Sequence, residues 1–224
     1  MNLPDIETEE FAEFVGAMLG DGNLGIYKTK AGNKIKFQHR IKITVNSVDD
    51  IEYAYYLSDL MFSLFEIKPK FYFKKKERAV DVQILNKELV KFLTVVAGME
   101  LAPKYKRAVI PGYLLNNELE LSVLRGLFDT DGCVVITNNN DTTYPRLEIK
   151  VIRSPMRNQI TDILRRNGFR FILSPNDHRA RQIRIQLNGL DELRRWMHLV
   201  GFSNEKHQNK ATKYLNTREI KIIA

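Results

Sequence analysis

The stretch Phe14-Val15-Gly16-Ala17-Met18-Leu19-Gly20-Asp21-Gly22 returns later in the chain as Leu124-Arg125-Gly126-Leu127-Phe128-Asp129-Thr130-Asp131-Gly132, so residue 21 falls on residue 131, an offset of 110. The echo continues. Ile41-Lys42-Ile43-Thr44-Val45 matches Leu147-Glu148-Ile149-Lys150-Val151, Val82-Gln83-Ile84 matches Ile185-Gln186-Leu187, and Phe92-Leu93 matches Trp196-Met197. The offset drifts, as loops of unequal length would make it. A chain of 224 residues built this way must fold as two related units with a core each, here 1–112 and 113–224.

Both units share one element order. A helix is expected near 8–20 and again near 118–130. Residues 35–45 then alternate strictly: Ile35, Phe37, His39, Ile41, Ile43 and Val45 on one face, Lys36, Gln38, Arg40, Lys42 and Thr44 on the other. Leu147, Ile149 and Val151 against Arg146, Glu148 and Lys150 repeat the pattern. A helix capped by Asp49 or Asp50 buries Tyr53, Leu57, Leu60, Met61 and Leu64; its partner opens at Ser154-Pro155 and buries Met156, Ile160, Ile163 and Leu164. Two further strands and a helix close each unit. The expected fold class is α+β: two pseudo-symmetric α-ββ-α-ββ-α units with antiparallel sheets.

The outward sheet faces are basic. Gln38, Arg40, Lys42, Tyr72 and Gln83 lie on the first, with Arg146, Lys150, Arg170, Arg184 and Gln186 on the second. Lys36, Lys70, Lys74, Lys75 and Arg181 extend the two sets. Such side chains can hold phosphates or read base edges, although an ordinary half-solvated sheet would look similar. Overall, 35 Lys+Arg against 27 Asp+Glu give a net charge of +8 and point to an acidic partner such as nucleic acid. The 44% hydrophobic content excludes a disordered chain. Apolar runs of only a few residues exclude a membrane helix. The lone Cys133 excludes a disulfide scaffold or a multi-cysteine zinc site. The first twenty residues hold acids and no basic stretch, so an intracellular protein is expected.

The repeated helix has a second property. Ala12, Gly16 and Gly20, and at the same offset Ser122, Gly126 and Thr130, recur every four residues. Small residues at that spacing let two helix backbones meet. Phe11, Phe14 and Met18, and Leu121, Leu124 and Phe128, then plug into their own units. Both helices would stop at Asp-Gly, with Gly22 and Gly132 suited to a left-handed turn. Asp21 and Asp131 thus face each other at helix ends that already carry negative charge, which costs energy unless a cation is present. Two carboxylates with backbone carbonyls make a hard oxygen site for a divalent ion. The plainer alternative is a pair of surface capping residues.

With two such motifs, each followed by the same ββαββα pattern, the chain resembles the LAGLIDADG homing endonucleases in their single-chain, two-motif form, motifs 14–22 and 124–132. The second copy is the closer match; the first keeps Gly16, Asp21 and Gly22. The resemblance implies saddle-shaped sheets in a major groove, motif helices at the interface between units, and a monomer that cuts a long asymmetric duplex using Mg²⁺ or Mn²⁺. It implies metal at Asp21 and Asp131 with the backbone of Gly20 and Thr130, and catalytic lysines at Lys104 and Lys206. Those lysines could polarise the water network or stabilise charge, or merely bind non-scissile phosphates. Asn46 and Arg153 stand where the family often has Gln, so their roles are open.

Two other readings share the scaffold: an RNA-splicing maturase and a non-catalytic nucleic-acid-binding protein. Retention of both aspartates favours the nuclease, and a transcription factor would be expected to add a helix-turn-helix domain. A free-standing, intron-encoded protein is expected, with double-stranded DNA as its partner and no membrane or protein partner implied. Gly20-Asp21-Gly22-Asn23-Leu24-Gly25 matches a dinucleotide fingerprint by letter, but it follows a helix and precedes strands, the reverse of that motif's setting. His39, His178, His198 and His207 show no metal-ligand spacing.

Overall fold

The computed structural model describes residues 3–32, 34–116, 118–139, 142–175 and 182–223. Arg181 and His178 lie outside the described residues. The first unit runs α1 (Glu9–Leu19), β1 (Gly22–Ala31), β2 (Lys34–Asn46), α2 (Ile51–Phe65), β3 (Lys70–Phe73), β4 (Ala79–Leu85) and α3 (Lys87–Val95). The second repeats it as α4 (Leu119–Asp131), β5 (Gly132–Asn139), β6 (Thr142–Ile152), α5 (Pro155–Arg166), β7 (Ile172–Pro175), β8 (Gln182–Asn188) and α6 (Leu190–Leu199). The strands form two four-stranded antiparallel sheets, ordered β1-β2-β4-β3 and β5-β6-β8-β7.

Local chemistry starts the helices. Thr8 caps α1 by accepting from the Phe11 amide, and Glu9 and Glu10 fill its first turn. Asn86 caps α3 through the Leu89 amide at 2.9 Å. Ser154 holds the N-cap position of α5 ahead of Pro155, but its hydroxyl donates backwards to the Ile152 carbonyl, so proline supplies the start signal there.

Each unit packs its own aromatic core. Phe14 meets Phe65 edge-on at 5.1 Å, and Phe128 meets the fully buried Trp196 at 4.8 Å. The units join where α1 crosses α4. A methyl group added at Gly16 would come within 2.1 Å of the Val123 carbonyl oxygen, and one at Gly126 within 2.0 Å of the Glu13 carbonyl oxygen. Only glycine permits that approach. Across the seam Arg125 pairs with Glu13 at 3.1 Å, and Glu13 also accepts from the Tyr56 hydroxyl at 2.7 Å.

Two features depart from the repeat. α7 (Glu205–Ile223) packs against β5, burying Ala211 and Tyr214, and the Tyr214 hydroxyl donates to the Thr143 carbonyl. The first unit instead leaves α3 through two short 3-10 turns, Tyr105–Arg107 and Gly112–Leu114. The alternation of β2 is present, but only its inner half is buried. Ile41, Ile43 and Val45 are in the core, whereas Ile35 and Phe37 are 54% and 64% exposed where the hairpin projects past the helices.

Candidate active site

α1 and α4 bring Asp21 and Asp131 to one place. The left-handed glycine turn expected after each aspartate is absent. Gly132 is extended (φ −94°, ψ 169°), and Gly22 is not among the described glycines with positive φ. α4 passes straight into β5, whereas the two turn residues Gly20 and Asp21 join α1 to β1. The glycines are there because a methyl group at Gly22 would lie 2.4 Å from the Met18 carbonyl oxygen, and one at Gly132 would lie 2.5 Å from that of Phe128. The Asp21 carbonyl accepts from the Thr44 amide at 3.3 Å, which ties the helix end to β2.

The stripe places the two helix ends against each other. A methyl group at Gly20 would meet the Thr130 hydroxyl at 2.0 Å and the Asp131 carboxyl carbon at 3.5 Å. Burial, reinforced by Asp21, raises the Asp131 carboxyl to about 7, with Lys104 and Lys150 opposing. Asp21 is raised by burial and by Asp50, against Lys104 and Lys206. Each carboxylate is thus held back from ionising, in part by its neighbours' charge, as expected of a site that gains from a cation.

Lys104 is drawn into this site. Its ammonium donates to the carbonyls of Met18, Gly20 (2.6 Å) and Gly22 (2.9 Å), taking up the α1 C-terminus. Burial pulls its pKa down to about 8, against Asp131 and Asp21. Lys206 is placed differently. It pairs with Asp50, the N-cap of α2, at 2.5 Å. Asn204 donates to the same Asp50 carboxylate at 2.9 Å and to the Asp129 carbonyl at 3.2 Å. The two lysines are therefore not equivalent.

A cleft of about 760 Å³ opens over Gly20, Gly22, Lys104, Thr130, Asp131 and Lys150. Among the described residues no group of three or more His, Cys, Asp or Glu side chains could hold a metal. The donor set nevertheless fits a hard cation: two mutually repelling carboxylates beside the Gly20 and Thr130 backbone, with room for water and phosphate oxygens. The Gly20 carbonyl also accepts from Lys104. His207 is buried between Phe128 and Phe202, which lowers its pKa to about 4. Asn46 accepts from the Val48 and Asp49 amides and so builds the turn into α2, while Arg153 is exposed.

Sequence reading missed two acids at the site. Asp50 was expected only as a helix cap, yet its carboxylate makes no capping bond and faces Asn204 and Lys206. Asp129 is 3% exposed. It accepts from the Ser203 and Asn204 amides through Oδ2 and leaves Oδ1 without a partner, and burial raises it to about 8. An acidic residue two positions before the aspartate shared by both copies was the available signal.

The sheet faces are less simply basic than expected. Lys36, Lys70, Tyr72, Lys75 and Lys150 are exposed, and Arg40 stacks over the Tyr27 ring at 4.1 Å. Lys42 is tied to Asp81 at 2.7 Å, and Lys74 to Glu77 at 3.1 Å. Gln83 and Gln186 are buried at 9% and 7% exposure, because neighbouring strands crowd the centre of each sheet. Gln186 donates to Glu148, which also pairs with Arg146 at 2.6 Å and faces Arg184 at 3.8 Å. Arg170 is a correction. Its guanidinium turns to Asp191 and Glu192 at the start of α6, because those two acids outcompete solvent for it, and it does not join the other basic side chains.

No family model matches the chain, and no curated protein does. Solved structures do. The homing endonuclease I-DmoI, also solved with its target DNA and Mn, aligns over 88% of this chain and 97% of its own at 18% identity and a TM-score of 0.59. I-SmaMI, bound to uncleaved DNA with calcium ions, aligns over 92% of both chains at 11% identity and a TM-score of 0.64. I-LtrWI, a LAGLIDADG homing endonuclease bound to target DNA, aligns over 96% of this chain and 91% of its own at 13% identity and a TM-score of 0.63. All three alignments run across both units. The chain has the LAGLIDADG fold. Within that fold α1 and α4 are the two motif helices, and the single chain supplies both. Among the described residues no helix is long and apolar enough to cross a membrane.

Proposed function

We propose that this protein is a site-specific DNA endonuclease that cuts both strands of a long asymmetric duplex by divalent-cation-dependent hydrolysis. The observation that carries the proposal is the convergence of Asp21, Asp131 and Lys104 at the joined helix ends. The basic, hydrogen-bonding sheet faces support it, as does the LAGLIDADG fold shared with enzymes solved on DNA.

Asp21 and Asp131, with the carbonyls of Gly20 and Thr130, are the residues that would hold the cation. When bound, Mg²⁺ or Mn²⁺ would lower the pKa of a water and offset charge on the scissile phosphate. The protein's own groups do the rest. Lys104, with a pKa near 8, can carry a proton or a positive charge beside the phosphate oxygens. Lys150 adds positive charge on the Asp131 side, and Lys206 on the Asp21 side. Lys36, Lys70, Lys75 and other exposed cations would hold phosphates, while Arg40 and Arg184 would read base edges, with the more buried Gln83 and Gln186 beside them. The two units are unlike, the first with 14 Lys and 3 Arg, the second with 5 Lys and 13 Arg, so we read one monomer on one non-palindromic site. An intron-encoded origin fits the same reading.

The test is a screen of a plasmid library for double-strand cleavage in Mg²⁺, Mn²⁺ or Ca²⁺. Wild type should cut one sequence class in Mg²⁺ or Mn²⁺. Asp21→Asn and Asp131→Asn should each bind it and fail to cut both strands. Full double-strand cutting by either variant would show that these aspartates only cap helices.

A further inference from the structure

Each sheet carries one acid on the face that otherwise presents basic and amide side chains, half-buried Asp81 in the first and buried Glu148 in the second. In the second sheet it is Glu148, 4% exposed, on β6. The β5–β6–β8 register puts Cys133, Glu148 and Gln186 in one row, with Arg146 and Arg184 in the rows on either side. Glu148 Oε1 accepts from Gln186 Nε2 at 3.0 Å and pairs with Arg146 Nε at 2.6 Å, while Oε2 faces Arg184 Nε at 3.8 Å.

The first sheet has the mirrored device. Register equates Lys42 with Glu148 and Asp81 with Arg184, since Ile43 faces Val82 as Ile149 faces Ile185. The diagonal ion pair is kept with its signs exchanged: Lys42–Asp81 at 2.7 Å, with Asp81 also accepting from Thr44 at 2.7 Å. Burial would raise the Asp81 carboxyl, but its bonds to Lys42 and Thr44 prevail and lower it. A carboxylate on a phosphate-facing surface weakens general attraction for duplex, and a buried one costs desolvation unless it is paired. Long arginine side chains otherwise sample many rotamers, and ordering them on binding is costly.

We infer that Glu148 is a positioning residue for sequence discrimination. It locks Arg146, Arg184 and Gln186 into one arrangement, so that the centre of one half-site is read by base edge and wrong sequences meet a carboxylate. Asp81 does the same for Lys42 in the other half-site. This rests on the DNA-recognition reading above.

The test selects bound sequences from a randomised duplex library with wild type, Arg184→Ala, Glu148→Gln, Glu148→Asp and Asp81→Asn, and follows each protein's thermal unfolding. Arg184→Ala marks the base pairs read by this part of the second sheet. Glu148→Gln should lose discrimination at those pairs by roughly 10-fold each while the other half-site keeps its preference. It should also bind an unrelated duplex about 3-fold more tightly at low salt, one repelling charge having gone. Glu148→Asp keeps the charge but not the reach, so it should lose the same discrimination without that gain, and it serves if the Gln variant does not fold. Asp81→Asn should relax only the opposite half-site. If the folded Glu148 variants keep wild-type preference at every pair that Arg184→Ala relaxes, the inference is wrong. If wild type enriches no sequence, the recognition reading falls and takes the inference with it.

Discussion

The Lys104 ammonium lies 2.6 Å from the Gly20 carbonyl oxygen, one residue before Asp21, so a single cation serves both the end of α1 and the carboxylate pair. Helix C-terminal carbonyls attract a positive charge, and two nearby acids reinforce the attraction. Burial works against it and lowers the Lys104 pKa to about 8, so that the ammonium is still mostly charged at neutral pH.

Removing that cation should therefore cost both stability and chemistry. Lys104→Met leaves the carbonyls of Met18, Gly20 and Gly22 without this donor, an expected loss of about 1–3 kcal/mol in chemical denaturation. Because Lys104 also faces both Asp21 and Asp131, cutting of both strands of a supercoiled plasmid should slow together.

Lys206→Met should behave differently. Its ammonium pairs with Asp50 and acts on Asp21, while the groups acting on Asp131 are Asp21, Lys104 and Lys150. The expected product is nicked circle, with one strand cut at near wild-type rate. Equal slowing of both strands, read on a strand-labelled duplex, would count against two separable half-sites.

Asp129 sets a pH dependence on stability. Its carboxyl titrates near 8 in the folded protein and near 3.8 in the unfolded chain. The native state therefore holds the proton more tightly, so this contribution is fully present below about pH 4 and is lost as pH rises to about 8. Asp129→Asn should flatten that part of the thermal unfolding profile and melt above wild type at pH 8.5. An unchanged slope between pH 4 and 8 would show that the buried carboxyl is ionised throughout.

Gly16→Ala tests the seam. The added methyl group would need to displace the Val123 carbonyl, 2.1 Å away, so α1 and α4 must separate. The expected destabilisation is at least about 1–3 kcal/mol. Gly112→Ala, with open space at its Cβ, should be close to neutral in the same denaturation series.

The repeat made most of the architecture legible. A duplicated Asp-Gly at the helix end, period-two strands and small residues every fourth position pointed to both units, both sheets and the helix pair. α7 was not legible in this way, because a repeat speaks only for what occurs twice. The glycines after the aspartates were expected for the wrong reason. Sequence shows that a side chain is absent, and only geometry shows whether backbone rotation or a nearby carbonyl forbids it. Lys104 was legible as a candidate, but its seat on three carbonyls was not, since that depends on how residues 86 positions apart meet. The basic character of the sheets was overestimated because counting positive residues along strands ignores the single acid that a neighbouring strand places among them, as Asp81 is placed beside Lys42.

The short helix-to-strand junctions at Asp21 and Asp131 also bear on descent. With only Gly20 and Asp21 between α1 and β1, nothing between α4 and β5, and the Asp21 backbone fastened to Thr44, there is little chain whose lengthening could re-aim a carboxylate. Exposed side chains on and beside the sheets, such as those of Lys36, Lys70 and Lys75, can be exchanged without moving either junction. On the proposed reading, a lineage of these chains would change its target by exchanging those side chains while the two helix ends are inherited unaltered.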